Sequence, residues 1–141
     1  MKFFALRKDG GPESRVTGFF IAEIKSLFSI VLLRFDTGSR EAYHSHAFNA
    51  LSWVLRGKLV EYYFDPAAPK TWVQIAQDRI VYGRSIRPVL TPRSRCHKVV
   101  SLGTTWVLSF RGPWAREWKE YDPKAQVWTT LTNGRKVVNA Y

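Results

Sequence analysis

The sequence has few of the residues on which many small-protein classes depend. Its 141 residues include one cysteine, Cys96, so neither an intrachain disulfide nor a Cys-x-x-Cys zinc site can form. This cysteine usage is typical of a reducing compartment. Acidic residues are also scarce, because 11 Asp and Glu stand against 22 Lys and Arg, for a net charge of +11. The sequence contains neither a glycine-rich phosphate loop nor a nucleophile elbow.

Long apolar runs are missing as well. The N-terminal run at residues 3–6 is too short for the core of a signal peptide, and charged residues follow it directly. Residues 16–35 are mostly apolar, but Glu23 and Lys25 interrupt them, and charges are costly inside a lipid bilayer. We therefore expect two strands and a turn there, in a cytoplasmic protein without a membrane partner.

Aromatic residues are abundant, at 15% of the chain, and they favour strands. Short apolar runs separated by turn residues predict an all-β sandwich or barrel, in a single domain over residues 1–141. Asn133-Gly134 predicts a hairpin turn. Residues 113–121 are the best helix candidate, with an irregular loop as the alternative. The predicted strands are residues 19–24, 27–35, 42–55, 59–64, 72–76, 79–82, 97–101, 105–110, 127–130 and 136–138.

The three histidines are the main functional signal. His44 and His46 lie two residues apart in a predicted strand, so both side chains should share one face. If His97, at the start of a later strand, meets them, three imidazoles could hold Fe, Zn, Ni, Cu or Mn with positions left open. Cys96 should point away from that site. An isolated His-x-His pair, however, is more often structural than metal-binding. The face of His44 and His46 continues through Phe48, Ala50 and Ser52.

Two stretches around these histidines resemble the motifs of the cupin superfamily. Residues 38–57 resemble the first motif, G-x5-H-x-H-x3,4-E-x6-G, with both glycines in place. Residues 92–101 resemble the second, P-x-G-x2-H-x3-N, with Ser94 for the glycine and Ser101 for the asparagine. The resemblance covers about residues 35–110 and implies a double-stranded β-helix, or jelly-roll, barrel with His44, His46 and His97 as metal ligands. Residues 112–118 are similar to the end of small bacterial and phage-encoded cupins.

One departure from the cupin motif concerns the ligand set. The family's glutamate falls on Ala50, which cannot bind metal, so the site resembles the three-histidine cupins, among them thiol and diketone-cleaving dioxygenases. Three neutral imidazoles leave the charge of a divalent ion uncompensated, and such a site should favour anionic ligands. Glu61 could replace the missing carboxylate, but a surface or wall glutamate is the commoner role.

The resemblance leads to three functional hypotheses. The first is a non-haem Fe(II) dioxygenase acting on a small anionic or metal-chelating substrate, with Zn, Ni or Mn as alternative ions. The second is a non-catalytic cupin that binds or sequesters a nucleotide or other small anion, and the third is a metal-dependent sugar isomerase or epimerase. Arg34, Ser101 and Arg116 are the candidate substrate-binding residues. We expect a homodimer, and the scattered basic residues permit but do not favour a nucleic-acid partner.

Overall fold

The computed structural model describes residues 1–38, 43–64, 79–122, 124–132 and 136–140. Within these ranges all the regular structure is β, with thirteen strands, no helix and therefore no helix able to cross a membrane. The strands are β1 (Lys2–Lys8), β2 (Val16–Ile24), β3 (Phe28–Phe35), β4 (Tyr43–His44), β5 (Ala50–Arg56), β6 (Leu59–Tyr63), β7 (Arg79–Tyr82), β8 (Val89–Thr91), β9 (His97–Ser101), β10 (Thr105–Arg111), β11 (Glu117–Asp122), β12 (Val127–Thr132) and β13 (Lys136–Ala140).

The strands form two antiparallel sheets. The six-stranded sheet has the order β1-β2-β3-β10-β5-β8, and the seven-stranded sheet has the order β13-β12-β11-β4-β9-β6-β7. Strands that are distant in sequence therefore lie side by side, as in a jelly roll. The prediction of an all-β barrel of the cupin type is confirmed.

The predicted strand at residues 42–55 is divided into two. Its first part, β4, pairs in the seven-stranded sheet, whereas its second part, β5, pairs in the six-stranded sheet. Residues 45–49 cross between the sheets, and the backbone amide of Ser45 donates to Lys119 O at 2.8 Å while that of His46 donates to Arg93 O at 3.3 Å. We call residues 45–49 the crossing segment.

The helix candidate at residues 113–121 is wrong. β11 begins at Glu117 and pairs with β12 and β4, so the tertiary pairing of these residues overrides a weak helical pattern. Trp114 and Trp118 still touch, with ring centroids 6.0 Å apart and planes at 88°. The predicted strand at residues 72–76 and the Asn133-Gly134 turn lie outside the described residues, although β12 and β13 do pair antiparallel.

Apolar side chains from both sheets pack together in the interior between them. Alternate residues of a strand point to the same side of a sheet, so each strand sends a few side chains inward. Burying each of these side chains stabilises the fold by roughly 1.5–3 kcal/mol. The buried apolar cluster consists of Phe20, Val31, Leu33, Val54, Leu59 and Val107. A separate aromatic cluster surrounds Tyr43 and Cys96.

Candidate metal centre

The three histidines converge on one point. β4 and β9 are neighbours, and their register places His44 directly opposite His97, with ring centroids 5.1 Å apart. His46, in the crossing segment, brings its ring to 4.9 Å from each of the other two. One potential ligand atom from each residue lies within 4.8 Å of the other two. The cluster could therefore hold a metal ion on three nitrogen atoms.

Backbone contacts between the two motif stretches hold the cluster together. Gly38 N donates to Ser101 O at 3.0 Å, and Ser101 N donates to Gly38 O at 3.1 Å. Asn49 Oδ1 accepts from Arg93 N at 2.8 Å, beside the bond from His46 N to Arg93 O. The stretch that carries His44 and His46 is thus bonded to the stretch that carries His97 at Gly38 on one side and at His46 and Asn49 on the other.

The histidines line a cavity of about 500 Å³ between the two sheets. The predicted inward face is present, because Phe48, Ala50 and Ser52 also line this cavity. At Ala50, where the cupin motif has its glutamate, the chain offers the cavity a methyl group. Much of the remaining wall is apolar, from Leu33, Val54, Leu59, Val99 and Val107.

A carboxylate lies behind His97. Glu61 is 2% exposed, and its Oε1 contacts His97 Nδ1. A carboxylate only accepts hydrogen bonds, so Nδ1 is the donor and Nε2 is left to face the cluster. The other oxygen, Oε2, accepts from Tyr63 OH at 2.9 Å, and Tyr63 OH lies 3.1 Å from Tyr82 OH. This arrangement orients the imidazole of a metal-binding histidine.

The surroundings of Glu61 keep it ionised. Burial alone would raise its pKa, but the hydrogen bond and charge of His97, together with the hydroxyls of Tyr82 and Tyr63, hold the pKa below its usual value. We expected the charge of a divalent ion held by the three imidazoles to be uncompensated. That expectation needs correction, because the negative charge of Glu61 lies one imidazole away. Sequence reasoning considered Glu61 only as a ligand or a wall residue. Its contact with His97 depends on the pairing of β6 with β9, which sequence alone does not show.

The three candidate substrate-binding residues do not line the cavity of the histidines. Arg34 follows the inward-facing Leu33, so it points outward, with Nε 3.4 Å from Asp36 Oδ1. Ser101 is buried at the end of β9, where its Oγ lies 2.6 Å from Gly103 O and 2.8 Å from Thr105 Oγ1. Arg116 is exposed and lines a separate depression.

Sequence reasoning missed a different arginine, Arg111 on β10. It is 5% exposed and lines the cavity, and its guanidinium donates from Nη1 and Nη2 to the two carboxylate oxygens of Asp9, at 3.1 and 2.6 Å. Its guanidinium carbon lies 4.6 Å from the Phe48 ring centroid. Strand parity places Arg111 on the same face as Val107 and Ser109, but the sequence does not show that this face looks inward.

Cys96 takes no part in the histidine cluster. Its thiol is buried with Tyr43, against partly buried aromatic rings such as Tyr62 and Phe64. Burial raises the pKa of the Cys96 thiol to about 12. This placement agrees with the expectation that Cys96 and His97 point to opposite faces.

The two antiparallel sheets around an inward-facing histidine cluster form a cupin-type fold, and solved structures show the same fold. The chain is similar to a cupin superfamily protein of Desulfitobacterium hafniense, at 17% identity and a TM-score of 0.53, over 74% of this chain and 84% of that one. It is similar to HppE in its Fe(II) form, at 12% identity and a TM-score of 0.57, over 76% of this chain and 55% of that one.

A third similar structure is the cupin domain of Schizosaccharomyces pombe Cnp3, at 10% identity and a TM-score of 0.54, over 77% of this chain and 68% of that one. No protein-family model and no curated protein sequence matches the chain. At these identities the likeness establishes the fold, and the function has to be argued from the site.

Proposed function

We propose that this protein binds a divalent metal ion through His44, His46 and His97, and that it is a non-haem Fe(II) dioxygenase acting on a small anionic or metal-chelating substrate. The observation that carries the proposal is the convergence of three ligand atoms to within 4.8 Å of one another on the wall of a cavity. The Fe(II) form of HppE, a protein of the same fold, supports iron as the ion.

The donor set fits such an ion. Imidazole nitrogen suits Fe(II), Zn, Ni and Mn, and three protein ligands leave coordination positions for substrate and a second small molecule. When bound, the metal would supply Lewis acidity and oxygen activation. The chain's own residues would orient the ligands, since Glu61 fixes His97 and the backbone of Arg93 fixes the crossing segment.

Metal analysis and oxygen uptake test this function. Protein purified aerobically and protein reloaded with Fe(II) under anaerobic conditions are assayed for bound metal, and then for oxygen consumption with panels of thiols, diketones and catechols. We expect about one metal ion per chain and uptake with at least one panel, both lost in His46→Ala. Arg34→Met, on the outer face, is the control and should retain both. A protein that takes up no iron, or stays inert in every panel after loading, contradicts the proposal.

A non-catalytic anion-binding role is the second candidate. It is favoured by the net charge of +11 and by three arginines that line the cavity, Arg7, Arg15 and Arg111. His44→Ala separates the two functions, because it abolishes a metal-dependent reaction but spares metal-independent binding. Retention of nucleotide or phosphate affinity in His44→Ala, with no turnover by the wild type, would establish the binding role.

A further inference from the structure

Arg111 is a buried cation whose hydrogen-bonding capacity is only partly used. A guanidinium has five N–H groups, and Asp9 accepts from two of them. Nε is buried and has no hydrogen-bond partner among the described residues. Buried polar groups are nearly always satisfied, so this arginine has at least one donor, Nε–H, for which the described residues provide no acceptor.

The guanidinium of Arg111 and the ring of His46 both lie close to one aromatic ring, that of Phe48. The Phe48 ring centroid is 4.6 Å from the guanidinium carbon of Arg111 and 5.3 Å from the ring centroid of His46. All three side chains line the same cavity. A single small molecule in this cavity could therefore reach the histidine cluster with one end and Arg111 with the other.

We propose that Arg111 is an anion-binding residue of this cavity, and that the ligand is a small organic dianion. One end of the ligand would bind the metal, and a carboxylate at its other end would accept hydrogen bonds from Arg111. The second half of this statement rests on the metal-binding function proposed above. Asp9 sets the strength of the subsite in two opposing ways, because it holds the guanidinium in place and its own charge repels an incoming anion.

Succinate, a flexible dicarboxylate, is the probe. Its Kd is measured by calorimetry on protein loaded with Zn(II), which is redox-inert. Arg111→Met should weaken succinate binding about tenfold or more, since hydrogen bonds to charged groups are lost. Asp9→Asn should tighten it about two- to fivefold, since a nearby like charge is removed. Butyrate has one carboxylate, which the metal would take, so its Kd should change little in either variant.

The decisive result is that Arg111→Met weakens succinate binding while Asp9→Asn tightens it. If both substitutions weaken succinate binding, or if Arg111→Met leaves it unchanged, the Arg111–Asp9 pair is only structural and the subsite is wrong. Arg111→Lys keeps the positive charge but loses the paired N–H donors of the guanidinium, so it should give an intermediate Kd. This variant also serves as the test if Arg111→Met fails to fold. Arg34→Met is the matched control outside the cavity and should bind succinate like the wild type.

The contributions of the metal and of Arg111 to succinate binding are distinguished by repeating the titrations without metal. Succinate should bind the metal-free protein more weakly, but the ratio of the Kd values of Arg111→Met and the wild type should persist. A persistent ratio in a protein that fails to bind Zn(II) would overturn the metal-binding function and keep the anion subsite. Normal Zn(II) binding, with the same succinate Kd in Arg111→Met and in the wild type, would overturn the anion subsite and keep the metal-binding function.

Discussion

Glu61 is not one of the proposed metal ligands, but it contacts the ligand His97, so its substitution also tests the metal centre. Replacing it by Gln removes the charge behind His97 and allows the imidazole to rotate or change tautomer. We expect Glu61→Gln to lower metal affinity by about 10- to 100-fold, the usual effect of losing such a partner. Competition with a chelator of known affinity measures this loss.

Glu23 supplies the matched control for that substitution. It is also a buried carboxylate, at 4% exposure, but its partner is Arg7, at 2.5 Å, and it does not line the cavity. Glu23→Gln should therefore cost stability and leave metal affinity as in the wild type. Equal losses of metal affinity in the two variants would mean that Glu61 acts through folding and not through His97.

Cys96 should be inert in the native protein. With a pKa near 12, only about one thiol in ten thousand is ionised at pH 8, and the thiolate is the reactive form. Iodoacetamide should thus modify Cys96 far more slowly in native than in urea-unfolded protein, as mass spectrometry would show. The native rate should rise tenfold per pH unit up to the pKa, so rapid alkylation at pH 7 would refute the buried placement.

The residues that sequence reasoning identified and those that it missed differ in a physical way. The motif spacing pointed to His44, His46 and His97, and alternation along the strand placed Ala50 on the same face as the first two. Glu61 was missed as a partner because its role depends on which strand lies beside β6. Arg34 was proposed and Arg111 was missed because sequence alone does not reveal which face of a strand looks inward.

At the scale of elements, the turn between β5 and β6 constrains the chain at the last glycine of the first motif. Gly57 has φ near +90°, and a Cβ there would lie 2.7 Å from Thr104 O and 2.5 Å from Thr105 Oγ1. Gly57→Ala should lower the free energy of unfolding by about 1–3 kcal/mol from the backbone strain alone, with the clash adding to it. Urea unfolding measures the change.

Substitutions at two other turn glycines distinguish the effect of backbone strain on stability from the effect of the steric clash. Gly103 has φ near +89° with open space around it, whereas Gly83 has open space and no such φ. The loss of stability should therefore increase from Gly83→Ala through Gly103→Ala to Gly57→Ala. If Gly57→Ala is no worse than Gly103→Ala, the close packing of the β5–β6 turn on residues 104 and 105 is wrong.

Strand positions could be predicted better than strand connections. Apolar runs bounded by turn residues predicted residues 79–82 and 97–101 as they are observed, and β3, β6 and β10 to within one residue at either end. The run at residues 42–55 reads as one strand because its apolar pattern continues through the crossing segment. Its division depends on hydrogen bonds to Arg93 and Lys119, which are far away in the sequence.

At the scale of the whole molecule, the metal centre joins parts of the chain that are distant in sequence. His46 and His97 are 51 residues apart, yet their Nε2 atoms lie 2.7 Å from each other. Composition and spacing could not place these two rings together, and only the resemblance to the cupin motifs predicted that they would meet. The approach itself results from β4 entering the seven-stranded sheet beside β9, while the crossing segment leads away to the other sheet.

Metal should consequently stabilise the whole fold. An ion held by His44 and His97 in one sheet and by His46 in the crossing segment binds the native state and loses this arrangement on unfolding. At a free metal concentration of 100 times Kd, the free energy of unfolding should rise by about 2.7 kcal/mol. Urea titrations with and without Zn(II) or Fe(II) measure this gain, with His46→Ala, which should show almost none, as the control. A gain that is equal in His46→Ala would place the bound metal elsewhere on the protein, because no ion at the cluster could be indifferent to the loss of one of three ligands.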